Sequence, residues 1–226
     1  MNISYTKIDP AGNITVIVDS FVPREQQSRV AAELMKRDVT VEQVGFLEKP
    51  DDPCCAVRLQ MMGGEFCGNA SLSAAAVIFS RAGLAEGLYC EELFEVSGAP
   101  EPVKISGSMV NRTCFEGEVA MPLPESISEC SFLDGFEGYT FPLVRFPGIC
   151  HAIVPVGTIE RERAKAVIAS WCRQLGADAL GLMFFDRNKH TLTPLVYVAS
   201  TDTAVWEGSC ASGTAAVAAY LAELDG

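Results

Sequence analysis

Apolar positions along the chain switch between two periods, and the switches mark the elements. Ile14–Asp19 is a continuous β-branched run (ITVIVD) after the turn Asp9-Pro10-Ala11-Gly12, and reads as a buried strand. Past Pro23, Val30, Ala31, Leu34 and Met35 fall at helical spacing, which predicts a helix over Arg24–Arg37. Val41–Leu47 and Ala56–Met61 return to a strand pattern, and an Ala-rich helix starts at Cys67. Leu88–Val96, Val103–Ile105 and Cys114–Met121 are further strand-like runs. Pro122 to Gly138 lacks a sustained pattern and holds Pro122 and Pro124, so the boundary is placed there, giving halves 1–122 and 123–226.

The second half repeats the order. Tyr139–Phe146 reads as a strand, Pro147-Gly148 as a turn and Ala152–Val156 as another strand. A helix is expected over Ile159–Leu175 behind Thr158 as N-cap, followed by strands at Leu180–Phe185 and Leu192–Ala199 and a helix opening at Cys210. Asn13 precedes Cys67 by 54 residues, and Ile149 precedes Cys210 by 61. Similar order at similar spacing predicts a duplicated α/β (α+β) fold: two pseudo-symmetric mixed-sheet domains, each wrapped around a central helix with a cysteine at its N-terminus.

The repeat draws attention to GEFCGNASLSAAA (Gly64–Ala76) and EGSCASGTAAVAA (Glu207–Ala219). Each sets a cysteine where a small-residue turn opens an Ala-rich helix. At that place unpaired backbone N–H groups and the positive end of the macrodipole favour a thiolate. One such cysteine suggests a nucleophile, whereas two on matching helices suggest a pair of thiols facing one small anion in the cleft between halves.

Composition narrows the classes. The chain has 226 residues, is 49% hydrophobic and 20% charged, and is therefore globular. A formal charge of −12 argues against nucleic acid as partner, since its phosphates would be repelled. A small anion remains compatible, held by local N–H groups. No apolar run reaches the 18 residues of a membrane span, and the first residues lack the basic and apolar stretches of a signal peptide. Nine cysteines with no C-x-x-C spacing fit neither a disulfide framework nor a zinc site. The expectation is a cytoplasmic, reduced protein with no bound metal. The other seven cysteines read as small buried hydrophobes, His190 and Arg58 as solvated residues, and Glu65 and Glu207 as carboxylates near helix starts.

With both sulfurs on one amino acid, Cys67 and Cys210 could invert its Cα centre. One thiolate removes the proton from one face while the opposite thiol delivers another. Backbone N–H groups after Cys67 (Gly68, Asn69) and Cys210 (Ala211, Ser212) would hold the carboxylate and stabilise the charge that develops on it. Such a site needs no pyridoxal or other cofactor.

These segments resemble the diaminopimelate epimerase superfamily of cofactor-independent racemases and epimerases. Lys7–Asp19 (KIDPAGNITVIVD) is similar to that family's opening segment, and the resemblance implies that Asn13 touches substrate. Glu42-Gln43 and the following strand are similar to a second substrate-side segment, which places Gln43 near the pocket. Cys67-Gly68-Asn69 matches the first cysteine motif. Pro147–His151 resembles a Gly-Asn-Pro-His stretch, so His151 is implied to orient substrate or tune a thiol. Cys210-Ala211-Ser212-Gly213-Thr214 stands where the family usually has Cys-Gly-Thr-Gly.

Two departures bear on substrate. The second Gly-Asn pair is Gly148-Ile149 here, and Tyr197–Asp202 lacks the Glu-Arg pair whose arginine grips the distal carboxylate of diaminopimelate. The resemblance therefore implies a histidine-racemase-like member acting on a free amino acid, with a homodimer as a candidate assembly. Three alternatives stay open: diaminopimelate epimerase proper, a phenazine-biosynthesis-type isomerase, or a non-catalytic amino-acid-binding or redox-sensing relative. The family continues with strands after its second Cys helix, so the second half reads as shortened or as a fragment.

Overall fold

The computed structural model describes residues 2–225 and divides into two compact units, Met1–Met121 and Pro122–Gly226. In the first unit, β1 (Tyr5–Ile8) and β2 (Thr15–Val18) form an antiparallel hairpin. Helix α1 (Arg24–Arg37) crosses to β3 (Gln43–Glu48), parallel to β2, and β4 (Val57–Met61) returns antiparallel. Helix α2 (Gly68–Arg81) is the second crossover, to β5 (Cys90–Val96), and β6 (Val103–Asn111) and β7 (Cys114–Val119) complete a seven-stranded mixed sheet in chain order.

The two faces of this sheet carry different partners. Val16, Val18, Val44 and Phe46 pack with Val30 and Ala31 of α1. Ile17, Leu59, Met61, Phe94 and Ile105 face the other way and enclose Ala70, Ala74 and Ala75 of α2. Strand alternation sends neighbouring residues to opposite faces, and alanines on α2 let the strands curl closely around it.

The second unit begins with β8 (Ser126–Cys130), β9 (Phe141–Phe146) and β10 (Ile149–Pro155), all antiparallel neighbours. Helix α3 (Arg161–Leu175) crosses to β11 (Ala179–Asp186), parallel to β10; β12 (Thr191–Val198) and β13 (Thr203–Trp206) follow antiparallel, and α4 (Ala211–Asp225) comes last. Cys150, Ala152 and Val154 of β10 face α3, where buried Trp171 stacks on Phe132 at 4.1 Å. Ile149 and Ile153 face α4 with Met183, Ala216 and Val217. A side chain placed like Trp171 contributes about 3–5 kcal/mol, judged by truncation to alanine.

The α+β class expected from the sequence, with two mixed-sheet domains, is the class observed. Four details differ. β1, β8 and β13 were not anticipated; all three are edge strands whose side chains are mostly exposed or half-buried, so no burial pattern marks them in sequence. Helix α3 is capped by Glu160 rather than Thr158, whose N–H instead closes a turn on the carbonyl of Pro155. Cys54 and Cys114 are exposed and not core residues. Arg58 is not a solvated cation: it pairs with Glu95 at 3.0 Å and with Glu48 at 3.7 Å.

Candidate active site

Each cysteine terminates its helix in the same way. Cys67 is the N-cap of α2 in an extended conformation, and its sulfur accepts the N–H of Ala70 at 3.4 Å. The Cys210 sulfur accepts the N–H of Gly213, also at 3.4 Å. The donor lies three positions after the cap in both, so sulfur takes the place of the oxygen that usually caps a helix there. The match extends to the next turn. Ser71 donates its N–H and hydroxyl to the Cys67 carbonyl at 2.9 and 2.8 Å, and Thr214 does both to the Cys210 carbonyl at 2.9 Å. Duplication is thus visible in bonds even where residue identity is low.

Behind Cys67 lies a buried chain of amides. Its thiol donates to Oε1 of Gln43 at 3.0 Å. Nε2 of Gln43 donates to Thr15 Oγ1 at 2.7 Å and to Oδ1 of Asn13. Asn69 Nδ2 donates to the same Oδ1 at 3.2 Å, and Asn13 Nδ2 donates to Glu42 at 2.7 Å. β2 and β3 bring these groups together because Thr15 and Gln43 are parallel register partners. The expected residues Asn13, Gln43, Cys67 and Asn69 therefore form one hydrogen-bonded cluster, with Gly68 in the first turn of α2.

Cys210 has a different support. Its sulfur lies 3.5 Å from Ser212 Oγ, which lies 2.9 Å from His151 Nε2. His151 is on the α4-facing side of β10 with no exposure, and burial lowers its pKa to about 3, so the imidazole is neutral at ordinary pH. Its Nδ1 has no hydrogen-bond partner among the described residues and faces Gly181, the register partner on β11. A Cβ at Gly181 would collide with that ring, so the glycine makes room for the imidazole. His151, Cys210 and Ser212 form the second cluster, with Ala211 in the same turn.

Three residues near these clusters were missed or undervalued in the sequence. Thr15 was detectable, since it is two positions from Asn13 on the strand approach and shares its face. Gly181 carries no local signal. Glu65, near a helix start in the sequence, is buried; its Oε2 has no hydrogen-bond partner among the described residues, and burial raises its pKa. His190 is exposed in a turn with φ of 51°, as a solvated loop residue should be.

A family model described as the histidine racemase CntK N-terminal domain matches residues 2–225. The chain belongs to this family. A histidine racemase of Fusobacterium nucleatum subsp. nucleatum is 34% identical over 229 residues, covering 97% of this chain and 81% of that protein. The histidine racemase of Staphylococcus aureus is 28% identical over 233 residues, covering 96% and 79%. A hydroxyproline epimerase of Agrobacterium vitis shares the fold, with a TM-score of 0.70 at 12% identity over 99% of this chain and 77% of that one. This member of the histidine racemase family is an isomerase of the amino-acid racemase and epimerase class. Among the described residues no helix is long and apolar enough to cross a membrane.

Proposed function

We propose that the protein racemises free histidine by a two-base mechanism in which Cys67 and Cys210 act on opposite faces of Cα. The observation that carries this reading is the shared cap: two cysteines, each accepting a helix N–H at 3.4 Å, each followed by the same hydroxyl bond to its carbonyl. A thiolate takes the Cα proton and becomes a thiol, while the opposite thiol gives its proton to the other face and becomes a thiolate. Protons balance, the centre is inverted, and the two sulfurs exchange roles. The opening turns of α2 and α4, through the N–H groups of Gly68, Asn69, Ala211 and Ser212, hold the carboxylate where the carbanion's charge accumulates. Asn13 and Gln43 on one side and His151 on the other set the positions of these turns.

Histidine as substrate is supported by the names of the relatives at 34% and 28% identity. The segment that would carry a distal-carboxylate arginine in a diaminopimelate epimerase instead holds Tyr197 donating to Asp202 at 2.9 Å, which supports excluding diaminopimelate. The cysteine pair weighs against a phenazine-type isomerase. Reduced enzyme in D2O should convert L-histidine to D-histidine with solvent deuterium at Cα and leave diaminopimelate unchanged. Cys67→Ala and Cys210→Ala should each abolish inversion; wild-type inversion by either variant would overturn the mechanism. Binding of histidine without exchange would instead indicate the non-catalytic relative.

A further inference from the structure

The sulfur of Cys67 is only as well placed as the turn that delivers it, and one buried hydroxyl holds that turn at both ends. Strand β4 finishes at Met61, and the chain reaches Cys67 through Met62–Phe66. The Gly64 N–H closes the turn on the Met61 carbonyl at 3.0 Å. Met62 is fastened to the body of the unit: its N–H donates to the Val44 carbonyl at 3.0 Å, and its carbonyl accepts the Ser28 hydroxyl at 3.1 Å. Ser97 takes the two ends. Its Oγ accepts the Met61 N–H at 2.9 Å and donates to the Glu65 carbonyl at 2.9 Å. The polarity is forced, since a backbone N–H can only donate and a carbonyl can only accept.

Ser97 is in turn fixed by the sheet. β5 lies parallel to β4 with Leu59 and Val96 as register partners, and the Ser97 N–H continues that ladder to the Leu59 carbonyl at 2.9 Å. The chain then reverses, the Ala99 N–H closing on the Val96 carbonyl at 3.1 Å with Gly98 left-handed at φ of 75° in the third place. Gly98 lies against the backbone of Glu65 and Phe66, where a Cβ would collide with both. Two neighbouring residues at the exit of β5 therefore grip the two residues before Cys67, one by a hydroxyl and one by having no side chain. Cys67 follows as an extended N-cap, with its sulfur in reach of the Ala70 N–H and of Gln43 Oε1. A shift of Glu65 carries the sulfur away from both.

We propose that Ser97 is a positioning residue for Cys67: through the Glu65 carbonyl it sets where the sulfur stands relative to the Cα of a bound amino acid. The inference rests on the two-base reading for its consequence in turnover. The second unit provides a control in the same molecule, because its approach to Cys210 is tied through backbone, the Glu207 N–H donating to the Pro194 carbonyl at 3.1 Å.

The test is Ser97→Ala in the full-length reduced protein, read in two ways. Chiral chromatography of L-histidine turnover should show kcat lowered by about 10–100-fold, the cost of misplacing a reacting group by about 1 Å. Iodoacetamide alkylation across pH, read at each cysteine by peptide mass spectrometry, should show the Cys67 midpoint moved by at least about half a unit, about a threefold change in thiolate fraction, with the Cys210 midpoint in place. Ser97→Cys keeps a weaker donor and acceptor at the same place. It should fall between alanine and wild type in both readings, and carries the prediction alone if the alanine variant does not fold. Wild-type kcat with an unmoved Cys67 midpoint overturns the assignment. So do midpoints that move together at both cysteines, which would mean general loosening, and a loss of rate with both midpoints in place. Failure of the base reading is separable. If the Cys67 midpoint alone moves while Ser97→Ala and Cys67→Ala both keep wild-type inversion, the two-base mechanism is wrong and the tether on Cys67 stands.

Discussion

Cys67 and Cys210 cap their helices with matching bonds to backbone and hydroxyl groups, but one is backed by amides and the other by a serine and a buried imidazole. In the first unit β2 and β3 each contribute to the support, Thr15 and Gln43 being register partners. In the second unit the register pair is His151 and Gly181, so one strand supplies the whole functional group and the other supplies only space. The comparison separates two roles. The strand–helix–strand frame decides where each sulfur stands, and the residues behind it decide which hydrogen bonds the sulfur makes.

The largest expected effect comes from removing either sulfur. Each single alanine variant should lower histidine racemisation by at least about a thousandfold, since proton transfer by a positioned side chain is worth on the order of 10²–10⁴ and inversion needs both transfers. The double variant should cost no more than either single one, because groups that act as a unit are not additive. A double variant markedly worse than both, measured by chiral chromatography of histidine, would show that the two halves contribute independently.

Next are the glycines on which each half leans. Gly98 has φ of 75°, and a Cβ there would strike the backbone of Glu65 and Phe66, the turn leading into Cys67. Gly98→Ala should destabilise by about 2–5 kcal/mol, combining left-handed strain with a backbone clash. Gly181→Ala meets only side chains, the His151 ring and the Met183 methyl, and should cost about 1–3 kcal/mol. Urea unfolding of both variants checks the order; a costlier Gly181→Ala would mean that the imidazole is held more rigidly than the turn before Cys67.

The frame was legible in the sequence to the extent that it is buried. β2, α1 and β10 announce themselves because whole runs of their residues are apolar, and the limits of α1 follow from Pro23 and the helical spacing behind it. Edge strands β1, β8 and β13 were not, because exposed faces leave no alternation to detect. The site divides similarly. Asn13, Gln43 and His151 carried a motif, and Cys67 and Cys210 carried a repeat. Gly181 matters only through its strand partner, and the position of Glu65 inside the fold depends on Ser97, whose hydroxyl donates to the Glu65 carbonyl at 2.9 Å from far along the chain. Such pairings are tertiary and have no local spacing.

Acid should act on the second unit. The folded pKa of His151 is about 3 and that of the unfolded chain about 6.5, so between those values the unfolded state binds a proton that the native state refuses. The stability is complete above pH 6.5 and falls by about 1.4 kcal/mol for each unit below it, down to about pH 3. Urea midpoints at pH 7.5 and 5 should differ accordingly, and His151→Gln should remove that part of the slope. A slope unchanged in the variant would assign the effect to other groups.

The smallest effect is the counterpart in the first unit. Burial raises the Glu65 pKa, so here the native state holds a proton that the unfolded chain gives up. The sign is therefore opposite to that of His151: the stability is present below the unfolded carboxyl range and is lost as pH rises through the folded pKa. Glu65→Gln keeps the shape and removes the titration. At neutral pH it should raise the thermal midpoint, because the cost of ionising or protonating the buried carboxyl is removed. The gain should shrink toward zero as the pH is lowered into the carboxylate range, where wild-type Glu65 is neutral in both states. A gain that stayed constant with pH would mean that the carboxyl is not held neutral, and the contrast between an acid-sensitive second unit and a base-sensitive first one would be lost.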